Sequence, residues 1–254
     1  MSSIQEVREG ALEDVLGLVS GRPTSRALGG CLAPDVRTWL ASPEQGLSGA
    51  TQSVAGVEGS IGALAGLAPS SLTVIASVRS DLAGWAEVAR YGDAWPETCI
   101  VGLTYEPSHR VSRLVCLRAP LVPPRRPDTG STAPDARPVL ESYFAALMNS
   151  RFREAAAHFT ADTLYSHPPY AGGAERVLFR GRGALAYGFE TERGPSPARQ
   201  IITDLWQRGS SAFVEGIVEG IPNGGSFFST ADISREGEIA RYVAFYSATR
   251  IPGA

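Results

Sequence analysis

Proton transfer is the chemistry this chain's residues are best suited to, and His167 is the first candidate for it. It directly precedes Pro168, at the end of the short stretch Thr163–Ser166. An unperturbed imidazole pKa of about 6.5 lets such a ring take up and release a proton near neutral pH. The same ring could instead pack on Pro168 or hydrogen-bond a carbonyl. Asp232 is the nearest acid partner. In Ser226-Phe-Phe-Ser-Thr-Ala-Asp-Ile-Ser234, strand alternation puts Phe228, Thr230, Asp232 and Ser234 on one face, and Phe227, Ser229, Ala231 and Ile233 on the other. If the first face lines a pocket, desolvation would raise the Asp232 pKa and suit it to acid–base work. If it does not, Asp232 is a solvated carboxylate near a hairpin. Glu215 faces the same way as Phe213, Ile217 and Glu219, and two glutamates four apart on one strand face more often mark an exposed face. Tyr170 and Arg180 flank the loop around Gly172-Gly173 and could gate a mouth or steer an acidic group, although Arg180 and Arg182 also read as solvated.

Several chemistries are excluded. All 23 basic residues are Arg, so Schiff-base and lysine-nucleophile mechanisms are impossible. Cys31, Cys99 and Cys116 have neither disulfide-framework nor zinc spacing. His158 and His167 belong to different elements, so no metal site is expected, and no cofactor. No Gly-x-Ser-x-Gly marks a serine nucleophile, and Gly59-Ser-Ile-Gly62 lacks the lysine and spacing of a phosphate loop. Net charge is −3; residues 1–120 carry nine Arg and twelve acids, and residues 137–254 carry twelve of each. Neither half has the basic face that a nucleic acid partner needs. The polar start is no signal peptide, and no run of about 18 apolar residues offers a membrane span, so a cytoplasmic protein is expected.

The elements that must position these residues are clearest in the second half. Leu140, Tyr143, Phe144, Leu147 and Met148 recur at helical spacing, which predicts a helix over 138–149. A short helix over 153–159, a strand over 163–166 and a helix over 182–189 follow. From residue 200 the period changes to two, and 201–207, 212–220, 226–234 and 239–249 read as strands joined by Asn223-Gly224-Gly225 and Arg235-Glu-Gly237. Helices followed by an antiparallel meander mean α+β. In the first half, strands are expected over 72–79, 84–91, 98–105 and 111–117, after a helix carrying Val7, Leu12, Val15, Leu16 and Val19.

The two halves are one plan written twice. Val111–Pro120 and Ile239–Ala248 are related by an offset of 128, which also joins Arg113 to Arg241 and Glu87 to Glu215. Asp35 meets Asp162 at offset 127, and Ala63-Leu64 meets Ala184-Leu185 at 121. Between the copies, Pro120, Pro123, Pro124, Pro127, Pro134 and Pro138 mark an extended linker. Domains are therefore expected at 1–120 and 137–254, with a linker over 121–136. The first copy has no base at the place of His167, where Leu40-Ala-Ser-Pro43 stands with Glu44 nearby.

The second copy resembles the NTF2-like superfamily, in its SnoaL-like and ketosteroid-isomerase-like branch. The resemblance rests on Tyr143-Phe144, Phe159-Thr-Ala-Asp162, Tyr165-Ser-His167-Pro168, Gly181-Arg-Gly-Ala-Leu185 and Gly237-Glu-Ile239. It implies two tandem cone domains, each a curved antiparallel sheet with about three helices around an apolar pocket, packed as an intramolecular pseudo-dimer with a further homodimer possible. It puts His167 where the isomerases carry an aspartate base, Tyr143 where a tyrosine supports the oxyanion donors, and Tyr246 on the pocket wall. Thr230 stands where the isomerases have a protonated aspartate, and Asp232 is the candidate for the late-strand aspartate of SnoaL-type cyclases.

The resulting expectation is a cofactor-independent acid–base enzyme, an isomerase or cyclase, acting on a small, largely apolar carbonyl compound. His167, Asp232 and Tyr143 would be its catalytic groups, with Tyr170, Glu215, Thr230 and Tyr246 around the substrate. The alternatives are a binding module for a hydrophobic small molecule, and an epoxide hydrolase using Glu215 with Asp232.

Overall fold

The structure is a computed structural model and describes residues 4–20, 27–41, 51–67, 70–92, 96–124, 133–170, 175–222 and 224–253. Pro43, Glu44, Gly172-Gly173, Asn223 and residues 125–132 of the proline-rich stretch lie outside the described residues. The chain divides into two compact units at Leu121/Val122.

The first unit runs α1 (Ile4–Val19), α2 (Ala27–Cys31), β1 (Leu32–Ala41), β2 (Gln52–Ala55), α3 (Val57–Ala65), β3 (Ser70–Arg79), β4 (Ala83–Gly92), β5 (Glu97–Tyr105) and β6 (Val111–Pro120). The second runs α4 (Ala136–Met148), α5 (Phe152–Ala157), β7 (Phe159–His167), β8 (Val177–Arg180), α6 (Arg182–Gly188), a π turn (Phe189–Arg193), β9 (Arg199–Arg208), β10 (Ser211–Glu219), β11 (Gly225–Ile233) and β12 (Ile239–Ser247). Each unit is α+β with one six-stranded sheet, ordered β2-β1-β6-β5-β4-β3 and β8-β7-β12-β11-β10-β9. The expected meanders are present as β3–β6 and β9–β12. The sheets are not wholly antiparallel: β1 lies parallel to β6, and β7 to β12. The first strand of each unit and the short β8 are the elements that alternation undersold. Phe159, expected to close the helix α5, instead opens β7.

Pairing registers repeat between the units. Arg90↔Glu97 matches Val218↔Gly225, and Thr104↔Arg113 matches Asp232↔Arg241, each at offset 128. The irregularities repeat too. A register shift follows Glu87 opposite β3 and Glu215 opposite β9, and another immediately precedes Arg113 opposite β5 and Arg241 opposite β11. The shared glutamates and arginines thus flank bulges, where the strand bends and its twist increases.

Local chemistry sets the second unit's elements. Asp135 caps α4 by accepting from the Arg137 backbone N–H at 3.0 Å, and Gln207 of β9 accepts from the Ala136 N–H at 2.8 Å. The helix then buries Leu140, Tyr143, Phe144 and Leu147. Tyr143 packs edge-on to Phe159 at 5.0 Å and to Tyr242 at 5.7 Å. On the sheet, Ala212, Val214 and Val218 of β10, and Phe227, Ala231 and Ile233 of β11, form the helix-side core. Gly216 lies between them because a Cβ there would strike the Ile201 carbonyl oxygen and the Phe227 ring.

Candidate functional site

A cavity of about 520 Å³ opens in the second unit, within the usual range for small-molecule sites. Leu147 of α4, Val218 of β10 and Tyr246 of β12 line its inner wall, with His167, Pro169 and Tyr170 at the end of β7. The rim is Arg193, the stretch Pro195-Ser196-Pro197 with Ala198, Gln200, Ile221, Pro222, Gly224 and Ala248. Four prolines among these residues make the walls apolar and stiff, since each ring fixes its own φ.

His167 lines the cavity and also bonds a backbone carbonyl. Its Nδ1 lies 2.6 Å from the carbonyl oxygen of Pro168. A carbonyl can only accept, so Nδ1 carries the proton and Nε2 of the neutral ring is an acceptor. The ring lies against Tyr170, with centroids 4.9 Å apart and planes at 27°, and parallel to Tyr165 at 6.1 Å and 3°. Burial, reinforced by the positive charges of Arg176 and Arg193 and opposed by the Pro168 carbonyl, pushes the His167 pKa down to about 3. The ring is therefore neutral across the physiological range.

Three tyrosine hydroxyls run inward from the cavity. Tyr170 donates to Tyr165 at 3.4 Å, and Tyr165 meets Tyr143 at 3.3 Å. Both contacts are longer than the usual 2.7–2.8 Å and are individually weak. Burial raises the pKa of all three hydroxyls, which stay protonated. Because the Tyr170 proton points to Tyr165, its oxygen is left as an acceptor. Tyr246 donates to the Gly224 carbonyl at 3.2 Å and closes the far wall.

Of the residues expected at the site, His167, Tyr170 and Tyr246 line the cavity, and Tyr143 lies behind it at the inner end of the hydroxyl chain. Glu215, Thr230 and Asp232 do not line it. They occupy the sheet face opposite the helices, as follows from the helix-side placement of Val214, Ala231 and Ile233. Glu215 stands opposite Phe228, and Asp232 accepts from the Ser211 hydroxyl at 3.2 Å. Glu215 and Asp232 are separated by four residues along the ladder, about 13 Å. Among the described residues, no carboxylate lines the cavity. Arg182, expected to be solvated, keeps a partly exposed side chain and also ties Phe159 O to Glu238.

Sequence reasoning missed Arg193. α6 ends in a π turn whose Gly194 N–H reaches back to the Phe189 carbonyl at 3.1 Å. Fully buried Phe189 anchors that turn, and Arg193 emerges from its end onto the cavity rim. The only advance signal was Gly194, whose φ of 60° ends the turn.

The first unit carries different groups at the matching places. Register sets Thr38 for Tyr165, Leu40 for His167 and Leu114 for Tyr242. Arg90 and Arg118 replace the wall residues Val218 and Tyr246, and both bond Glu97, at 3.0 and 3.3 Å. Arg90 also donates to the Val19 carbonyl. Charged side chains tied to one carboxylate stand there in place of the cavity wall.

No protein-family model matches the chain, and no curated protein matches it. Solved structures do. A hypothetical protein with a ketosteroid isomerase-like fold from Catenulispora acidiphila DSM 44928, in complex with trimethylamine, is 19% identical, with a TM-score of 0.36 over 46% of this chain and 88% of its own. An NTF2-like protein of unknown function from Cytophaga hutchinsonii ATCC 33406 is 11% identical, with a TM-score of 0.35 over 44% of this chain and 90% of its own. SalBIII, an epoxide hydrolase/cyclase-like enzyme of pyran ring formation in the polyether salinomycin, is 17% identical, with a TM-score of 0.36 over 44% of this chain and 90% of its own. Each is similar to about half of this chain in fold, and the chemistry of the cavity is that of this chain's own residues.

Proposed function

We propose that the second unit binds one small, largely apolar carbonyl compound and moves a proton on it through Nε2 of His167. The observation that carries this reading is the ring's fixed tautomer. With Nδ1–H held on the Pro168 carbonyl, Nε2 keeps the lone pair of a ring that lines the cavity. Abstraction of a proton from the carbon next to a carbonyl would leave imidazolium and an enolate. Return of that proton to another carbon would complete an isomerisation with no net change in the protein.

The electrostatics suit the second product better than the first. Arg176 and Arg193 disfavour imidazolium and favour an enolate oxygen. A base of low pKa is no bar, since a carboxylate of pKa about 4.6 serves as the base in ketosteroid isomerase. Tyr143 takes a supporting part through Tyr165 and Tyr170, and Tyr246 shapes the wall. The lack of a lining carboxylate among the described residues favours a second reading, a binding module that holds the same class of ligand without turning it over.

Deuterium exchange separates the two. The protein, incubated in D₂O with a panel of small apolar ketones and followed by proton NMR, is expected to exchange α-protons of at least one of them. His167→Ala is expected to lower that rate by about 10² or more. Exchange unchanged in the variant would end the base assignment. Saturable binding without exchange would leave the binding module.

A further inference from the structure

Among the described residues, one permanently charged side chain lines the cavity. Arg193 lines the cavity, is only partly exposed, and forms no ion pair with a described carboxylate. Nearby arginines do otherwise: Arg182 pairs with Glu238 at 2.7 Å, Arg153 with Glu190 at 2.9 Å, and Arg151 with Glu154 at 2.9 Å. Among the described residues, the one hydrogen bond that Arg193 makes is from Nη1 to the carbonyl of its neighbour Gly194, at 3.1 Å. A guanidinium has five N–H donors in a planar fork, so most of its capacity remains.

We infer that the ligand of this cavity is an apolar carboxylate, with its carboxylate held by Arg193 and its apolar body against Leu147, Val218, Tyr246 and the rim prolines. Three features of the site support that class. The walls are apolar and the rim cation has no anionic partner among the described residues, which is the arrangement that a hydrophobic body with one anionic end satisfies. The acceptors on offer, His167 Nε2 and the Tyr170 oxygen, cannot hold a carboxylate, which itself only accepts. Ser196 and Gln200 also line the cavity and offer neutral donors, but only the guanidinium brings a positive charge and the two parallel N–H···O bonds that an arginine makes with a carboxylate. Finally, the charge of Arg193 is felt at His167, Tyr165 and Tyr170 together, so it acts on the polar end of the cavity and not on bulk water alone.

The inference rests on the cavity being a ligand site, as proposed above, and it adds a coupling to that reading. Arg193 is one of the charges that keep a proton off His167. A carboxylate paired with Arg193 would cancel that charge and make Nε2 a better base only when the ligand is present.

The test is a matched pair of probes, 4-phenylbutyrate and 4-phenylbutyramide, titrated calorimetrically into the full chain at pH 7. The carboxylate is expected to bind about 10- to 100-fold tighter than the amide, the usual worth of a hydrogen bond to a charged partner. Arg193→Gln should abolish that preference, bringing the carboxylate to the amide's affinity or below. Arg180→Gln, which removes an exposed arginine that does not line the cavity, should keep it. His167→Gln should also keep it, which separates the anchor from the base: a failed base assignment leaves this result standing. Equal binding of the two probes, or a preference that survives Arg193→Gln, overturns the inference alone. Failure of both probes to bind overturns it together with the ligand-site reading.

Discussion

His167 Nδ1 and the carbonyl oxygen of Pro168, the next residue in the chain, lie 2.6 Å apart. This one contact decides which ring nitrogen keeps the lone pair. It is local, because the proline that stops β7 also turns its own carbonyl back onto the ring. The cavity then adds what the dipeptide cannot supply, namely burial, two flanking tyrosine rings and two nearby arginines.

His167 therefore links stability to pH, and the sign can be stated. Its folded pKa, about 3, lies below the unfolded value of about 6.5. The unfolded chain binds the proton first, so stability is fully present above pH 6.5 and is lost as pH falls towards 3. One such proton changes stability by at most about 1.4 kcal/mol per pH unit, and less here because the ring keeps some contact with solvent. The groups facing it are Tyr165, Tyr170, Arg176 and Arg193. Urea midpoints at pH 7 and pH 4.5 should fall further apart in the native protein than in His167→Phe. Equal pH sensitivity would show that the ring is already protonated or solvated in the fold.

Tyr143→Phe should cost about 1 kcal/mol, measured by urea unfolding. It removes one long hydrogen bond and leaves the buried Tyr165 hydroxyl with one partner fewer. The ring packing against Phe159 and Tyr242 is retained. A loss above about 3 kcal/mol would mean that the hydroxyl chain is stronger than its distances indicate.

Gly216→Ala and Gly183→Ala should have opposite signs. At Gly216 the added methyl meets the Ile201 carbonyl oxygen and the Phe227 ring, so β10 or β9 must shift, at about 1–3 kcal/mol. At Gly183, inside α6, nothing lies within 4 Å, and alanine should add up to about 1 kcal/mol. Thermal midpoints of the two variants against the native protein check both signs in one experiment.

The two buried thiols should be silent. Burial pushes the Cys116 thiol up to about 11 and raises Cys99 as well. At pH 8 in native buffer, a thiol-disulfide reagent should modify at most Cys31, and all three cysteines only after unfolding. Rapid modification of Cys99 or Cys116 in the native state would show that the core of β5 and β6 opens easily.

Much of the second unit is legible in its residues. Period-two alternation from residue 200 onward finds β9–β12 to within a residue or two. The turn glycine Gly237, with φ 82°, lies where Arg235-Glu-Gly237 suggested. The repeat is legible too, because Glu87/Glu215 and Arg113/Arg241 mark bulges that both sheets need at the same places. The strand β8 escaped notice because four residues are too few to establish a period.

The face of the sheet was not legible, and that is why Glu215, Thr230 and Asp232 were expected at the site. Alternation correctly sorted β11 into two faces, but Phe227 and Phe228 are both buried, as are Val214 and Glu215 on β10. With both faces out of water, polarity no longer tells which one meets the helices. Sequence by itself determined the duplicated α+β plan, the exclusion of lysine chemistry and the histidine that ends β7, because these depend on residue type, short-range spacing and the rigidity of proline. Only the tertiary structure decided which sheet face the helices cover, and it brought Arg193 from a π turn to the rim of the cavity that His167 lines. Those outcomes depend on packing between residues tens of positions apart, which no local period records.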